Sequence, residues 1–209
     1  MSNISNVKSD TLKNVYSQNR TVEDQREIYR KWAETYDQET TGEFGWMGFR
    51  PAAEAFAQRV TDLSCRVMDA GCGTGLSGVA LAEHGFSNLH GRDLSPEMLE
   101  IAKQTGVYSS LDETDLTNPI EEEPFEAIFA CGVFGYGPPH VEHIRHLIHA
   151  TKPDGHVILT VNGNGWNDMN WKANLGSVVK EHNLKLEETL DIEYLEKEQI
   201  GGKLLVFRA

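Results

Sequence analysis

From about residue 66 onward the hydrophobic pattern of this chain switches back and forth between two periods. Short, mostly apolar runs read as strands over residues 66–69, 88–93, 125–130, 156–161, 185–191 and 204–207, with a weaker one near Tyr108. Between most of them, residues near 75–84, 96–104, 138–151 and 168–182 carry the three- and four-residue spacing of amphipathic helices. Strands alternating with helices predict a mostly parallel sheet, covered on both faces and joined by right-handed crossovers. The last two strands are joined by a shorter link containing Gly201-Gly202, which predicts an antiparallel finish.

Upstream the pattern is helical. Thr21 followed by Asp24 resembles a helix start, after which Ile28, Tyr29, Trp32 and Tyr36 share one face. That face either packs onto the domain or forms a lid whose aromatic rings close over a site. Pro51 opens a second helix at a position where proline is tolerated, and Ala52, Ala55, Phe56 and Val60 suit docking on a sheet. Residues 1–20 are rich in Ser and Asn and poor in large apolar groups; they read as a mobile tail, or as a segment that orders only over a bound ligand. The expected organisation is thus a tail over 1–20 and one domain over 21–209, divided into a helical lid or extension (21–62) and a ligand-binding core (63–209).

Composition narrows the partners. With 209 residues the chain is long enough for one full α/β core, and its 39% hydrophobic and 24% charged content fits a globular protein. A net charge of −13 repels nucleic-acid backbones and anionic membranes, so neither is expected as a partner. No apolar run approaches a membrane span, and no secretory signature opens the chain. Cys65, Cys72 and Cys131 form no metal-ligand spacing and leave an odd count, which points to the reducing cytoplasm.

The candidate chemistry sits where the first strand of the core meets a glycine-rich turn. Ligands in open α/β sheets bind beyond the carboxyl ends of the strands. There the sequence places Asp69 to Gly75, then Asp93, Asp115 and the stretch from Cys131 to His140. Gly73-Thr74-Gly75-Leu76-Ser77-Gly78 matches G-x-G-x-x-G with an acid, Asp93, about twenty residues on, as a dinucleotide site requires. Asp69 argues the other way, since a carboxylate there repels a pyrophosphate and favours an ammonium or sulfonium. Asp93 suits two ribose hydroxyls in either case, and Asp115-Leu116 offers an acceptor and an apolar edge to an adenine.

Four segments in order then resemble class I S-adenosylmethionine-dependent methyltransferases: VMDAGCGTGLSG, GRDLSPEMLEIAK, FEAIFACGVFGYG and TKPDGHVILT. Upstream, YRKWAETYDQE and GFRPA resemble the methyltransferase-like proteins of the Williams–Beuren region type and their bacterial relatives. The resemblance spans roughly residues 25–209. It implies a Rossmann-like α/β fold with a seven-stranded, mostly parallel sheet, its last strand antiparallel and helices on both faces. It also implies S-adenosylmethionine as cofactor and S-adenosylhomocysteine as product. By the same resemblance Asp69, Gly71, Cys72, Gly73, Asp93, Leu94, Met98, Asp115, Leu116 and Cys131 contact the cofactor, while Tyr36 and Arg50 reach its carboxylate end.

Methyl transfer from a sulfonium asks the protein mainly to align the acceptor and exclude water. His140 and Tyr136, at the exit of the fourth strand, are the candidates for a base or an orienting group. His140, His143, His146 and His149 recur every third residue, but each step falls about 60° short of a helical turn, so they do not converge and no metal is expected. The Asn/Asp-Pro-Pro-Tyr and Pro-Cys signatures of base- and glutamine-methylating enzymes are missing, which leaves a small-molecule acceptor methylated on O, N or S. Trp46, Phe49, Phe134, Tyr136 and Trp166 are its candidate pocket walls. Two rivals stay open: a nicotinamide-dependent oxidoreductase on the same fold, and a non-catalytic cofactor-binding protein that serves a partner.

Overall fold

The computed structural model describes residues 10–17 and 19–209. A seven-stranded sheet runs through it, built from β1 (Val67–Ala70), β2 (Leu89–Asp93), β3 (Tyr108–Glu113), β4 (Phe125–Phe134), β5 (Thr151–Asn162), β6 (Lys185–Leu195) and β7 (Ile200–Arg208). Their order is β3-β2-β1-β4-β5-β7-β6. The first five strands pair in parallel, and β7 lies antiparallel to both β5 and β6. Strand order therefore reverses between β1 and β4, and a crevice opens at their carboxyl ends.

Both faces of the sheet are covered, so β1 is buried along its whole length rather than in alternation. Successive side chains go to opposite faces: Val67 and Phe129 join one core, Met68 and Ile128 the other. On the first face α3 (Phe49–Ala57) lays Ala52, Ala53 and Phe56 against the strands. The Phe56 ring meets Phe86 at 5.1 Å and Phe129 at 5.5 Å, edge to face. On the second face α6 (Ile144–His149) and α8 (Trp171–Glu181) bury Ile144, Leu147, Trp171 and Leu175. The remaining core helices, α4 (Leu76–Glu83), α5 (Pro96–Gln104) and α7 (Gly163–Asp168), follow β1, β2 and β5.

The extension adds α1 (Asp10–Val15), α2 (Val22–Trp32) and a short π-helical turn, Gln38–Glu43. Thr21 and Asp24 cap α2 reciprocally, as their spacing predicts. The tail expectation needs revision over the described residues. Leu12, Val15 and Tyr16 are buried, and the Tyr16 hydroxyl accepts a 2.8 Å hydrogen bond from Asn162 Nδ2. Three apolar groups on one turn of helix are enough to dock it, although they are too few to register as a period. The rest of the expected tail, residues 1–9 and 18, lies outside the described residues.

Other boundaries moved for nonlocal reasons. β5 starts at Thr151, because Thr151 pairs with Phe125 across the sheet, and this truncates the helix expected over 138–151. That helix also starts late, behind Pro138-Pro139: a 3₁₀ turn, Val141–His143, leads into α6. The helix expected over 168–182 is α8 alone, since Asn170 at φ +51° separates it from α7. Among the described residues no helix is long and apolar enough to cross a membrane.

Candidate functional site

At the end of β1 the chain enters the glycine turn. Gly71 takes φ +71°, and a Cβ there would lie 2.3 Å from Val133 Cγ2. Only glycine lets β1 and the exit of β4 come so close. Gly73, at φ +54°, has open space on its Cβ side, and its N–H donates to Asp93 Oδ2 at 2.8 Å. Asp93 Oδ1 accepts from the Ser95 N–H at 2.9 Å, and Ser95 in turn caps α5 by accepting from the Met98 N–H. The Asp93 carboxylate is thereby fixed at the end of β2. Burial raises its pKa, against the pull of those backbone donors.

A cavity of about 770 Å³ lies over this turn. Gly71, Cys72, Gly73, Asp93, Leu94, Met98, Asp115, Leu116 and Cys131 line it, so nine of the sequence-expected residues converge on one space. Tyr36 closes it from the extension, packed edge-on against Trp32 with ring centroids 4.7 Å apart. Asp115 does double duty: its carboxylate accepts from the Thr117 N–H and hydroxyl and from Asn118 Nδ2, holding the turn after β3 while it faces the cavity. Burial pushes the Cys131 thiol up to about 12, which leaves it an apolar wall rather than a nucleophile.

Two of the expected cofactor-binding residues do not line the cavity. Asp69 is completely buried beneath the turn and does not line the cavity. Its Oδ2 accepts from Ser77 Oγ and from the Tyr108 hydroxyl, each at 2.7 Å, while Oδ1 is buried with no partner. Burial pushes its pKa up to about 6. Asp69 thus ties the start of α4 and the start of β3 to the end of β1 from beneath the turn. Arg50 is exposed, with its guanidinium carbon 5.6 Å from the Phe49 ring centroid. It borders outer grooves with Met47 and Glu83, because α3 turns Ala52, Ala53 and Phe56 inward and leaves Arg50 outside.

A second cavity, about 620 Å³, adjoins the first and shares Gln25, Tyr29, Tyr36, Trp46, Gly132 and Val133 with it. The Trp46 indole lies so close to Gly132 that a Cβ there would sit 2.8 Å from Cζ2. Of the five expected pocket walls, Trp46, Phe134 and Tyr136 line this cavity. Phe49 faces an outer groove instead, and Trp166 packs on the second core under Lys203.

The two candidate bases are placed differently from expectation. Tyr136 donates its hydroxyl proton to Asp168 Oδ2 at 2.7 Å and stacks on Tyr16, with centroids 4.8 Å apart. Burial and the neighbouring carboxylate raise its pKa, so it does not take up a proton. His140 lines neither cavity; its N–H donates to His143 Nδ1 at the start of the 3₁₀ turn. Among the described residues no three His, Cys, Asp or Glu side chains are placed to hold a metal ion.

Sequence reasoning missed several residues that line these spaces. Gln25 and Tyr29 lie one turn apart on α2, so the aromatic face that contains Tyr29 was the available signal. Thr74 donates its hydroxyl proton to Asp37 Oδ1 at 2.5 Å, and Arg26 Nη1 donates to the Leu94 carbonyl at 3.0 Å and pairs with Glu113. These contacts tie the extension to the glycine turn and to the ends of β2 and β3. No local pattern announces them.

Charge separates the two ligand chemistries. Among the described residues the first cavity is lined by two carboxylates, Asp93 and Asp115, and by no Lys, Arg or His. The two carboxylates disfavour a pyrophosphate there and favour a sulfonium and an ammonium. Comparison with known proteins agrees. A family described as a methyltransferase domain matches residues 67–155. Human methyltransferase-like protein 27 is 35% identical over 145 residues, covering 67% of this chain and 58% of that protein. A trans-aconitate 2-methyltransferase of Pseudomonas aeruginosa is 30% identical over 132 residues, covering 62% of this chain and 46% of that one. The chain thus spans about half the length of these curated relatives. A TehB-like methyltransferase structure from Corynebacterium glutamicum shares the fold, with a TM-score of 0.63 and 23% identity over 86% of this chain and 96% of that one.

Proposed function

The chain carries a class I S-adenosylmethionine-dependent methyltransferase domain, and we propose that it transfers the methyl group of S-adenosylmethionine to O, N or S of a small-molecule acceptor. The observation that carries this reading is the charge balance of the first cavity, with two fixed carboxylates and no cation. In this arrangement residues 63–209 bind the cofactor and residues 21–62 close over it.

The residue set fits the cofactor. Asp93 keeps lone pairs free of its two backbone donors and accepts from the ribose hydroxyls. Leu94, Met98 and Leu116 flank the adenine, and Asp115 accepts from its amino group. Gly71, Cys72 and Gly73 bring backbone groups to the amino-acid end under Tyr36, while Cys131 supplies an apolar wall. When bound, S-adenosylmethionine would supply an activated methyl group on its sulfonium. Any proton on the acceptor atom would pass to solvent as the methylated product leaves the site. The chain aligns the acceptor through the wall shared by the two cavities and keeps bulk water out with Tyr29, Tyr36 and Trp46.

The second cavity suits a small molecule by its lining, which is mostly aromatic and apolar with a few polar groups. The relatives named for trans-aconitate support the same class. The charge of −13 argues against a nucleic acid or an anionic membrane, and three buried free cysteines suit a reducing compartment such as the cytoplasm. A thermal-shift comparison tests the reading. S-adenosylhomocysteine is expected to raise the unfolding midpoint and NAD to leave it unchanged; stabilisation by NAD alone would overturn it.

A further inference from the structure

The second cavity has a charge character opposite to the first. Arg20 enters it beside a wall of aromatic rings. Its Nε donates to the Ser17 carbonyl at 3.2 Å, but Nη1 is buried with no hydrogen-bond partner. The Oε1 of Gln25 is buried and partnerless as well. The two heads converge on one point: a Cβ on Gly137 would lie 2.5 Å from Arg20 Nη2 and 2.8 Å from Gln25 Oε1. A side chain at 137 would therefore displace both. Burial lowers the Arg20 pKa, yet a guanidinium stays charged. Asp24, the carboxylate whose field reaches it, turns its Oδ2 to the Thr21 N–H and hydroxyl. An unused donor on a desolvated guanidinium is costly, and an acceptor on a ligand in this cavity would offset that cost.

We propose that the methyl acceptor is an organic carboxylate with a flat, unsaturated body, its anionic end held by Arg20 and Gln25. This rests on the methyl-transfer reading above. The guanidinium offers a carboxylate its preferred fork of donors, and the Gln25 amide, turned so that Nε2 replaces Oε1, donates to the second oxygen. The stacked rings of Tyr16 and Tyr136, with Trp46, present flat faces to the body of the acceptor. Selection also works by repulsion: an anion is turned away from Asp93 and Asp115 in the first cavity and drawn to Arg20 in the second.

The test uses calorimetry on the full chain saturated with S-adenosylhomocysteine. Benzoate, trans-cinnamate and 3-phenylpropionate are each compared with the corresponding neutral amide, and phenyl phosphate is run beside them. At least one acid is expected to bind tenfold or more tightly than its amide. Arg20→Gln is expected to abolish that margin while S-adenosylhomocysteine affinity stays within twofold. Gln25→Ala, read independently should Arg20→Gln not fold, is expected to narrow the margin at least threefold. The proposal is overturned if no acid outbinds its amide, if phenyl phosphate outbinds every acid, or if Gln25→Ala leaves the margin intact. It is equally overturned if Arg20→Gln weakens S-adenosylhomocysteine binding tenfold, because Arg20 would then serve the cofactor. Absence of S-adenosylhomocysteine binding by the unaltered chain would sink the methyl-donor reading itself.

Discussion

The two cavities share a wall but are assembled in contrasting ways. The first takes most of its lining from short segments that leave the ends of β1, β2, β3 and β4, each fixed by the strand before it. Its polar groups are rigid: Asp93 is pinned by two backbone N–H groups, and Asp115 holds its own turn. The second draws Tyr16, Arg20, Trp46, Tyr136, Asn162 and Tyr194 from stretches scattered over the chain, and they meet only after folding. A sheet edge that reverses direction supplies a generic cradle, so one cofactor geometry suits many chains. The space beside it is shaped by peripheral helices, and there specificity varies.

The strongest challenge to this contrast is Asp93→Ala. On the proposed reading it removes two ribose hydrogen bonds, each worth roughly 1.5–3 kcal/mol to a charged acceptor. S-adenosylhomocysteine affinity is therefore expected to fall about a hundredfold or more by calorimetry. Unchanged affinity would mean that the rigid cavity does not hold the cofactor. Asp69 gives the next largest effect, read in stability. Its folded pKa is about 6 against an ordinary 3.8. Between those values the native chain keeps a proton that the unfolded chain has released. This group's contribution to stability is thus present at low pH and is lost as pH rises through about 6. Without ligand, wild type is expected to lose roughly 2–3 kcal/mol relative to Asp69→Asn between pH 4 and pH 7, measured by urea unfolding. Parallel pH profiles would show that Asp69 is ionised throughout.

Legibility followed the same divide. The α5 helix was readable to the residue because Ser95 and Pro96 mark its start within a few positions. The Thr21 cap was readable for the same local reason. Asp93 and Asp115 could be placed because strand periodicity fixes where each strand ends, and Met98 because the resemblance carries it. Asp69 was read in the right position and the wrong layer: sequence gives its distance from Gly71, not the Ser77 and Tyr108 hydroxyls that draw it beneath the turn. Arg50 was expected from the resemblance, yet the small-residue face of α3 decides which way it points. Arg20 went unnoticed because it follows a polar stretch with no period, and its partners lie on α2 and beyond β4.

Tyr136→Phe probes the second cavity at a smaller scale. It deletes the 2.7 Å bond to Asp168 and keeps the ring stacked on Tyr16. A loss of about 1.5 kcal/mol in unfolding free energy is expected, with S-adenosylhomocysteine affinity unchanged within twofold. A tenfold drop in that affinity would erase the division of labour between the cavities.

The smallest effect concerns the seam between extension and core, where the contrast should blur. Thr74 belongs to the glycine turn and Asp37 to the extension, and their 2.5 Å hydrogen bond joins the legible half of the site to the illegible one. If the extension closes over the cofactor, this bond must contribute to binding as well as to folding. A double-mutant cycle with Thr74→Val and Asp37→Asn isolates it, since each change removes the pair while nearly preserving volume. A coupling energy of about 1 kcal/mol is expected in S-adenosylhomocysteine binding, a fivefold effect that neither single variant predicts additively. Coupling confined to unfolding measurements would make the seam a scaffold contact, with the lid indifferent to the ligand beneath it. Coupling in binding would show that the peripheral helices, which shape the acceptor cavity, also grip the cofactor, so that the occupant of one cavity is sensed in the other through the shared rings of Tyr29, Tyr36 and Trp46.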